Sequence, residues 1–262
     1  MPLLIRVLLA FCLTLFLLPA HADDNAAGIT RLMEDSGLLD ALHGFNETLG
    51  ATLAHQDPDT LSAQHVATLS EKAGIAFAPG FLEKSMQDDL TEQVSPKDLA
   101  EILAWLDTDL GRKISRLESR EEITKRLSVE TVSPAISPAR SRLLARLLKS
   151  SNFADIMVDI QYRLVEAMLA GMAYADPART AGVQPMLADL RARRPQELVQ
   201  VNATLSQDFQ RVYEPLSDDE LTRYVAFSES PLGKRYSTAV SHAFNSGLND
   251  AAQSFGQLLA SP

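Results

Sequence analysis

Apolar residues recur along most of this chain at spacings of three and four. Leu38, Leu42, Phe45, Leu49 and Leu53 make one stripe, and Phe153, Ile156, Met157, Ile160, Leu164 and Met168 make another. Leu198, Leu205, Phe209 and Val212 suggest a third. Leu232, Tyr236, Val240, Phe244 and Leu248 step by four each time, with Phe255 and Leu259 extending the line. A stripe of that period is the buried face of an amphipathic helix. No convincing run alternates apolar with polar residues, and no Asn-Gly or Asp-Gly hairpin turn is present. The pattern predicts an all-α fold, a helical bundle.

The breaks between stripes fall at turn-forming residues: Asp57-Pro58, Pro79-Gly80, Ser133-Pro134, Ser137-Pro138, Pro177, Pro195 and Pro215. Two helix starts are well marked. Ser217 with Glu220 fits a capping box, in which each side chain satisfies the other's orphan backbone N–H. Ser95-Pro96-Lys97-Asp98 offers a serine cap and a proline at the first helical position, where a missing N–H costs nothing.

The first segment stands apart. Residues 1–22 read MPLLIRVLLAFCLTLFLLPAHA, with Arg6, an apolar run from Val7 to Leu18, Pro19, and small residues at Ala20 and Ala22. That is the three-part pattern of a secretory signal peptide, with a mature chain expected to start at Asp23. An uncleaved membrane anchor is the alternative, but the run is short for a hydrocarbon core that needs about 20 apolar residues. Cys12 follows Phe11 inside the apolar run, which excludes a lipid-anchored form. The protein is therefore expected to be exported, touching membrane only through its leader before cleavage.

The chain also carries a long internal repeat. Residues 95–115, SPKDLAEILAWLDTDLGRKIS, align without a gap on residues 217–237, SDDELTRYVAFSESPLGKRYS, at a separation of 122. Trp105 falls on Phe227, Asp107 on Glu229, Thr108 on Ser230, and Arg112-Lys113 on Lys234-Arg235. A second match, residues 31–50 on 146–165, runs at a separation of 115. The net insertion of seven places a longer connection around Tyr174–Pro195. This period is too long for a solenoid. It predicts two tandem related halves in a pseudo-two-fold arrangement, residues 23–132 and 139–262, with a Ser-Pro seam at 133–138. The two halves need not be separate domains.

Each copy holds the same corner. An apolar helix ends in an acidic and a hydroxyl residue, then Leu-Gly follows, then two basic residues. In the second copy Ser230 can cap a new helix with Pro231 at its first position. In the first, Thr108 caps and Asp109 sits near the positive helix start. Gly111 and Gly233 lie one turn in, where glycine costs about 1 kcal/mol relative to alanine, so close approach of another backbone is expected. The corner reads either as a packing device or as an anion site using Arg112, Lys113, Lys234 and Arg235, with Trp105 and Phe227 as aromatic contacts.

The residues Tyr213-Glu-Pro-Leu-Ser-Asp-Asp-Glu-Leu, with Phe227 and Ser230-Pro231-Leu232-Gly233-Lys234, resemble the signature of an exported bacterial helical family, the domain of unknown function 2059. The likeness is closest over residues 198–245 and reaches the first half only through the repeat. There Asp109 stands in place of the motif proline, and Ser228 stands where an aromatic is usual after Phe227. The resemblance implies a compartment and a helical fold, and brings no catalytic residues.

Composition narrows the rest. The chain has 262 residues, 24 Lys+Arg, 34 Asp+Glu and one cysteine, for a formal charge of −10. Removal of the leader would leave 240 residues at −11 with no cysteine. An acidic chain without a basic run is a poor nucleic-acid binder. One cysteine excludes an internal disulfide and any metal site built on several thiolates. No nucleophile elbow, phosphate loop or His-Glu-x-x-His pattern occurs, and neither cofactor nor metal is expected. Four histidines would remain after the leader, His43, His55, His65 and His242, and the first three are spaced too widely to share one face of one helical turn. Asp57-x-Asp59 begins like a calcium loop, but Leu61 occupies the third ligand position. Asp88-Asp89, Glu121-Glu122 and Asp218-Asp219 read as solvated helix faces and starts. Asn46-Glu-Thr and Asn202-Ala-Thr fit the glycosylation pattern, which matters only in a eukaryotic route.

Two functions from different classes remain. One is an exported binding or interaction protein with an envelope protein or small molecule as partner, with self-association left open. The other is an envelope-acting hydrolase using a carboxylate or His–carboxylate site between the halves.

Overall fold

Hydroxyl side chains set most of the helix starts. In the computed structural model, which describes residues 20–43, 63–128, 136–175 and 180–260, Ser95 Oγ accepts from Asp98 N at 3.1 Å and Ser137 Oγ from Arg140 N at 3.1 Å. Ser217 and Glu220 close the capping box in both directions, at 3.2 and 2.8 Å. Eleven helices are defined among the described residues. They are α1 (Ala20–Asp35), α2 (Ala63–Ala76), α3 (Pro79–Gln93), α4 (Pro96–Leu106), α5 (Asp109–Leu117) and α6 (Arg120–Ser128), then α7 (Pro138–Ser151), α8 (Phe153–Ala175), α9 (Thr180–Val212), α10 (Asp218–Glu229) and α11 (Pro231–Ala260). Residues 38–43 add a short helical stretch, and no strand occurs among the described residues. The fold is all-α, as the periodicity requires.

The breakers act unevenly. Pro79, Pro96, Pro138 and Pro231 each begin a helix, where their fixed φ is an advantage. Pro195 was expected to end one, yet α9 runs through both Pro185 and Pro195. An interior proline removes one hydrogen bond and costs about 3 kcal/mol. Here the neighbouring Arg194 is tied to α8 through Asp159 at 2.8 Å and Asp155 at 3.3 Å, and Arg191 through Glu166 at 2.9 Å. The described part of the expected long connection around Tyr174–Pro195 is therefore helix. Pro177, Asp57-Pro58, Asp59, Leu61, His55, Asn46 and Ser133-Pro134 lie outside the described residues, as do Phe45, Leu49 and Leu53 of the first stripe.

Two buried apolar clusters result. The first takes Ile29, Leu32 and Met33 from α1, Leu82, Met86 and Leu90 from α3, and Leu99, Ile102 and Leu106 from α4. It is completed by Ala239, Ala243, Phe244, Leu248, Ala251 and Phe255 of α11. The second takes Leu110, Ile114 and Leu117 from α5, Leu144, Leu147 and Leu148 from α7, Phe209 and Val212 from α9, and Leu221 and Val225 from α10. Neither cluster respects chain order. Residues 23–132 supply α5 to the second cluster, and residues 139–262 supply α11 to the first. Trp105 packs against both.

The stripe residues of α8 whose burial is described divide. Ile156 is in the first core, while Phe153, the opening residue of the helix, is 41 % exposed. Val158 and Tyr162 are buried instead. Just upstream, Asn152 ends α7 in a left-handed conformation, φ 54°.

Candidate functional site

The two corners share one construction. In the first, Gly111 N donates to Thr108 Oγ1 at 2.9 Å, and Thr108 Oγ1 donates to Trp105 O at 2.7 Å. In the second, Gly233 N donates to Ser230 Oγ at 3.0 Å, and Ser230 Oγ donates to Phe227 O at 2.6 Å. One hydroxyl thus caps the new helix and closes the old one. The turn is so tight that a Cβ at Gly111 would lie 2.7 Å from Leu106 Cα and collide with Trp105 O. One at Gly233 would meet Ser228 O at 2.9 Å and collide with Phe227 O. The close backbone that the glycines require is the end of the helix just left.

The corners meet. The Trp105 and Phe227 rings stack with centroids 3.9 Å apart and planes 10° from parallel, and Tyr224 lies 5.7 Å from Trp105 on α10. Lys113 Nζ, from the first corner, donates to both oxygens of Glu220 at 2.8 Å. Arg235, from the second, clasps Asp98 through Nε at 2.9 Å and Nη2 at 2.6 Å. These cations hold both carboxyls below the ordinary range, Arg235 by hydrogen bonding to Asp98 and Lys113 by hydrogen bonding to Glu220. Arg112 turns back onto Asp107 O and reaches Asp109 at 2.6 Å. Lys234 contributes to the field that keeps Glu229 ionised, behind the hydrogen bonds from Arg146. Three of the four basic residues considered for an anion site are thus bonded to groups of the protein itself.

Both separations found in the sequence return as matched contacts. Arg31 meets Asp107 at 2.6 Å, and Arg146, 115 positions on from Arg31, meets Glu229, 122 on from Asp107, at 2.5 Å. The positive φ angles among the described residues belong to Gly37 and Asn152, again 115 apart.

Beside the aromatic stack sits a group that the sequence did not single out. Tyr213 Oη and Tyr224 Oη both donate to Glu118 Oε1, at 2.6 and 2.7 Å. Burial pushes the Glu118 carboxyl up, more than the two tyrosine bonds pull it down. The same burial raises both tyrosines, and it brings the nearby Tyr236 up to about 12. Glu118 lies in the charged run Arg116–Glu122, where nothing distinguishes it from a solvated acid. Tyr213 was visible only as part of the motif.

The other candidates divide. His242 Nδ1 lies 2.9 Å from both oxygens of Asp89, between α3 and α11. Asp88 is exposed and paired with Lys84, Glu122 pairs with Arg126, and Asp218 pairs with Arg140. An open-sided hollow of about 530 Å³ is lined by Asp40, Arg120, Glu121, Thr124 and Lys125, all from one half of the chain. Among the described residues no group of three or more His, Cys, Asp or Glu is placed to hold a metal, and no helix is long and apolar enough to cross a membrane. Compared with known proteins, the chain matches no family model, no curated protein and no solved structure.

Proposed function

We propose that this is an exported helical binding protein of the bacterial periplasm, built by duplication of one unit about an approximate two-fold axis and carrying the family resemblance noted above. The observation that carries the binding reading is the apolar surface at the α2–α3 turn. Ile75 is 57 % exposed and Phe81 44 % exposed, and both are bonded through their backbones to the same residue, Ala78. Large apolar side chains exposed at the two ends of one turn offer an apolar partner a surface to cover. The corner residues, by contrast, are engaged with one another and support the scaffold. The partner is an envelope protein or small molecule that offers an apolar surface.

Co-purification from the native envelope after mild crosslinking tests this reading, with the I75E/F81E variant alongside. A partner recovered with the native chain and lost with the variant, at unchanged circular dichroism, is the expected result. Recovery of nothing above background counts against it.

A hydrolase acting on envelope material has one observation in its favour. Asp89, with its side chain 11 % exposed, orients the imidazole of His242, which is 57 % exposed. This is the arrangement of a carboxylate-oriented general base. Turnover of envelope material by the native chain, abolished by H242A, would favour this second function.

A further inference from the structure

The contacts between the corners are reciprocal. Asp98 and Glu220 are equivalent under the 122-residue separation, and so are Lys113 and Arg235. Asp98 pairs with Arg235 while Glu220 pairs with Lys113. Each acid therefore meets the base that belongs to the other copy. Trp105 stacks on its own equivalent, Phe227. Residue i touching j while j touches i, with a residue lying on its own counterpart, is the signature of an isologous two-fold contact.

The two cores add a second observation. The segment after the first corner, α5, sends Leu110, Ile114 and Leu117 into the core of the second copy. The segment after the second corner, α11, sends Ala239 to Phe255 into the core of the first, although it also lies along α8 of its own copy. At each corner the chain crosses to the opposite half.

We propose that the chain is a dimer of its own two halves with their C-terminal segments exchanged, so that the surface around each corner is built to receive another copy of the same half. This deepens the duplicated architecture proposed above and rests on it, while standing apart from any envelope partner. The chemistry of the surface is self-complementary. The second copy alone carries the acid Glu220, the base Arg235 and the aromatic Phe227. Two such copies in a two-fold pairing would match acid to base twice and ring to ring once, with no like charges opposed. Asp98, Lys113 and Trp105 give the first copy the same property. Its partner is a homologous helical half.

Two full-length variants in a C12S background test the inference. A Cβ at Gly247 would lie 3.7 Å from Ser85 Cβ, inside the range a disulfide spans. S85C/G247C is expected to oxidise within one chain, migrating as a compact monomer on a non-reducing gel. Failure to crosslink, or crosslinking only between chains, overturns the exchange. The second variant transposes the corner across the axis: D98E/W105F/K113R/E220D/F227W/R235K. It is expected to keep the cooperative unfolding transition and the emission wavelength of the single tryptophan, now at the equivalent place. A cooperative transition with emission shifted towards that of a solvated indole overturns the two-fold. If that variant does not fold, W105F/F227W is read by the same two outcomes. A failed crosslink with a successful transposition removes the exchange and leaves the duplication standing.

Discussion

Trp105 and Phe227 are 122 positions apart in the chain and lie face to face at 3.9 Å, and Trp105 packs against the buried cluster on either side. Their stack is where the two cores become one structure. Trp105→Ala should cost about 3 kcal/mol in urea unfolding, at the low end for a large aromatic because the ring is half-buried. Phe227→Ala should cost less alone. In a double-mutant cycle the pair should couple by about 1 kcal/mol, and additive losses would show that the stack contributes nothing beyond burial.

The corner glycines invert an ordinary rule. In an unconstrained helix Gly→Ala stabilises by about 1 kcal/mol. At Gly111 and Gly233 the added methyl meets backbone of the preceding helix, which cannot rotate away. Each substitution should therefore destabilise by about 1–3 kcal/mol. Gly74 and Gly80, with open space around a built Cβ, serve as controls. Thermal midpoints that rise at Gly111 and Gly233 would remove the close approach from the account.

Stability should depend on pH through Glu118. Burial raises its folded pKa above the ordinary 4.5, so its contribution is whole below that value and is lost as pH rises through the folded value. Glu118→Gln keeps an oxygen for Tyr213 and Tyr224 and removes the ionisation. The variant should gain on the native chain as pH rises above 4.5 and flatten this limb of the thermal midpoint curve. Parallel curves would mean that Glu118 is solvated.

The acid side carries the opposite sign. Asp98 and Glu220 have folded values lowered by Arg235 and Lys113 from ordinary values of 3.8 and 4.5. Their contributions are present above those values and disappear as pH falls through the folded ones. Arg235→Ala and Lys113→Ala should each shift acid unfolding to higher pH by a similar small amount, with the effect weakening in salt because these groups are partly exposed. Unequal shifts would argue that the two pairs are not counterparts.

The local part of this structure was legible in the sequence, because a helix cap is settled within four residues. Ser95, Thr108, Ser217 and Ser230 could be assigned from their neighbours, and each caps as expected. The path of the chain through two cores was not legible, since Phe244 looks the same whether it covers residues of its own half of the chain or of the other half. Pro195 was misread for a related reason: a long helix held to α8 by Arg191 and Arg194 outweighs a local penalty. Glu118 was invisible because a buried acid and a solvated one are spelled alike, and only Tyr213 and Tyr224, some hundred positions on, distinguish them.

The late position of α11 sets a timetable. Its buried face, from Ala239 to Phe255, covers apolar residues that begin at Ile29, so the first core pairs some of the earliest residues of the chain with some of the last. Contacts of such long range form slowly, because the loop between them must close before they reward it. Until α11 docks, the apolar faces of α1, α3 and α4 lack part of their cover. The first core closes only when α11 has come back across the chain to meet it.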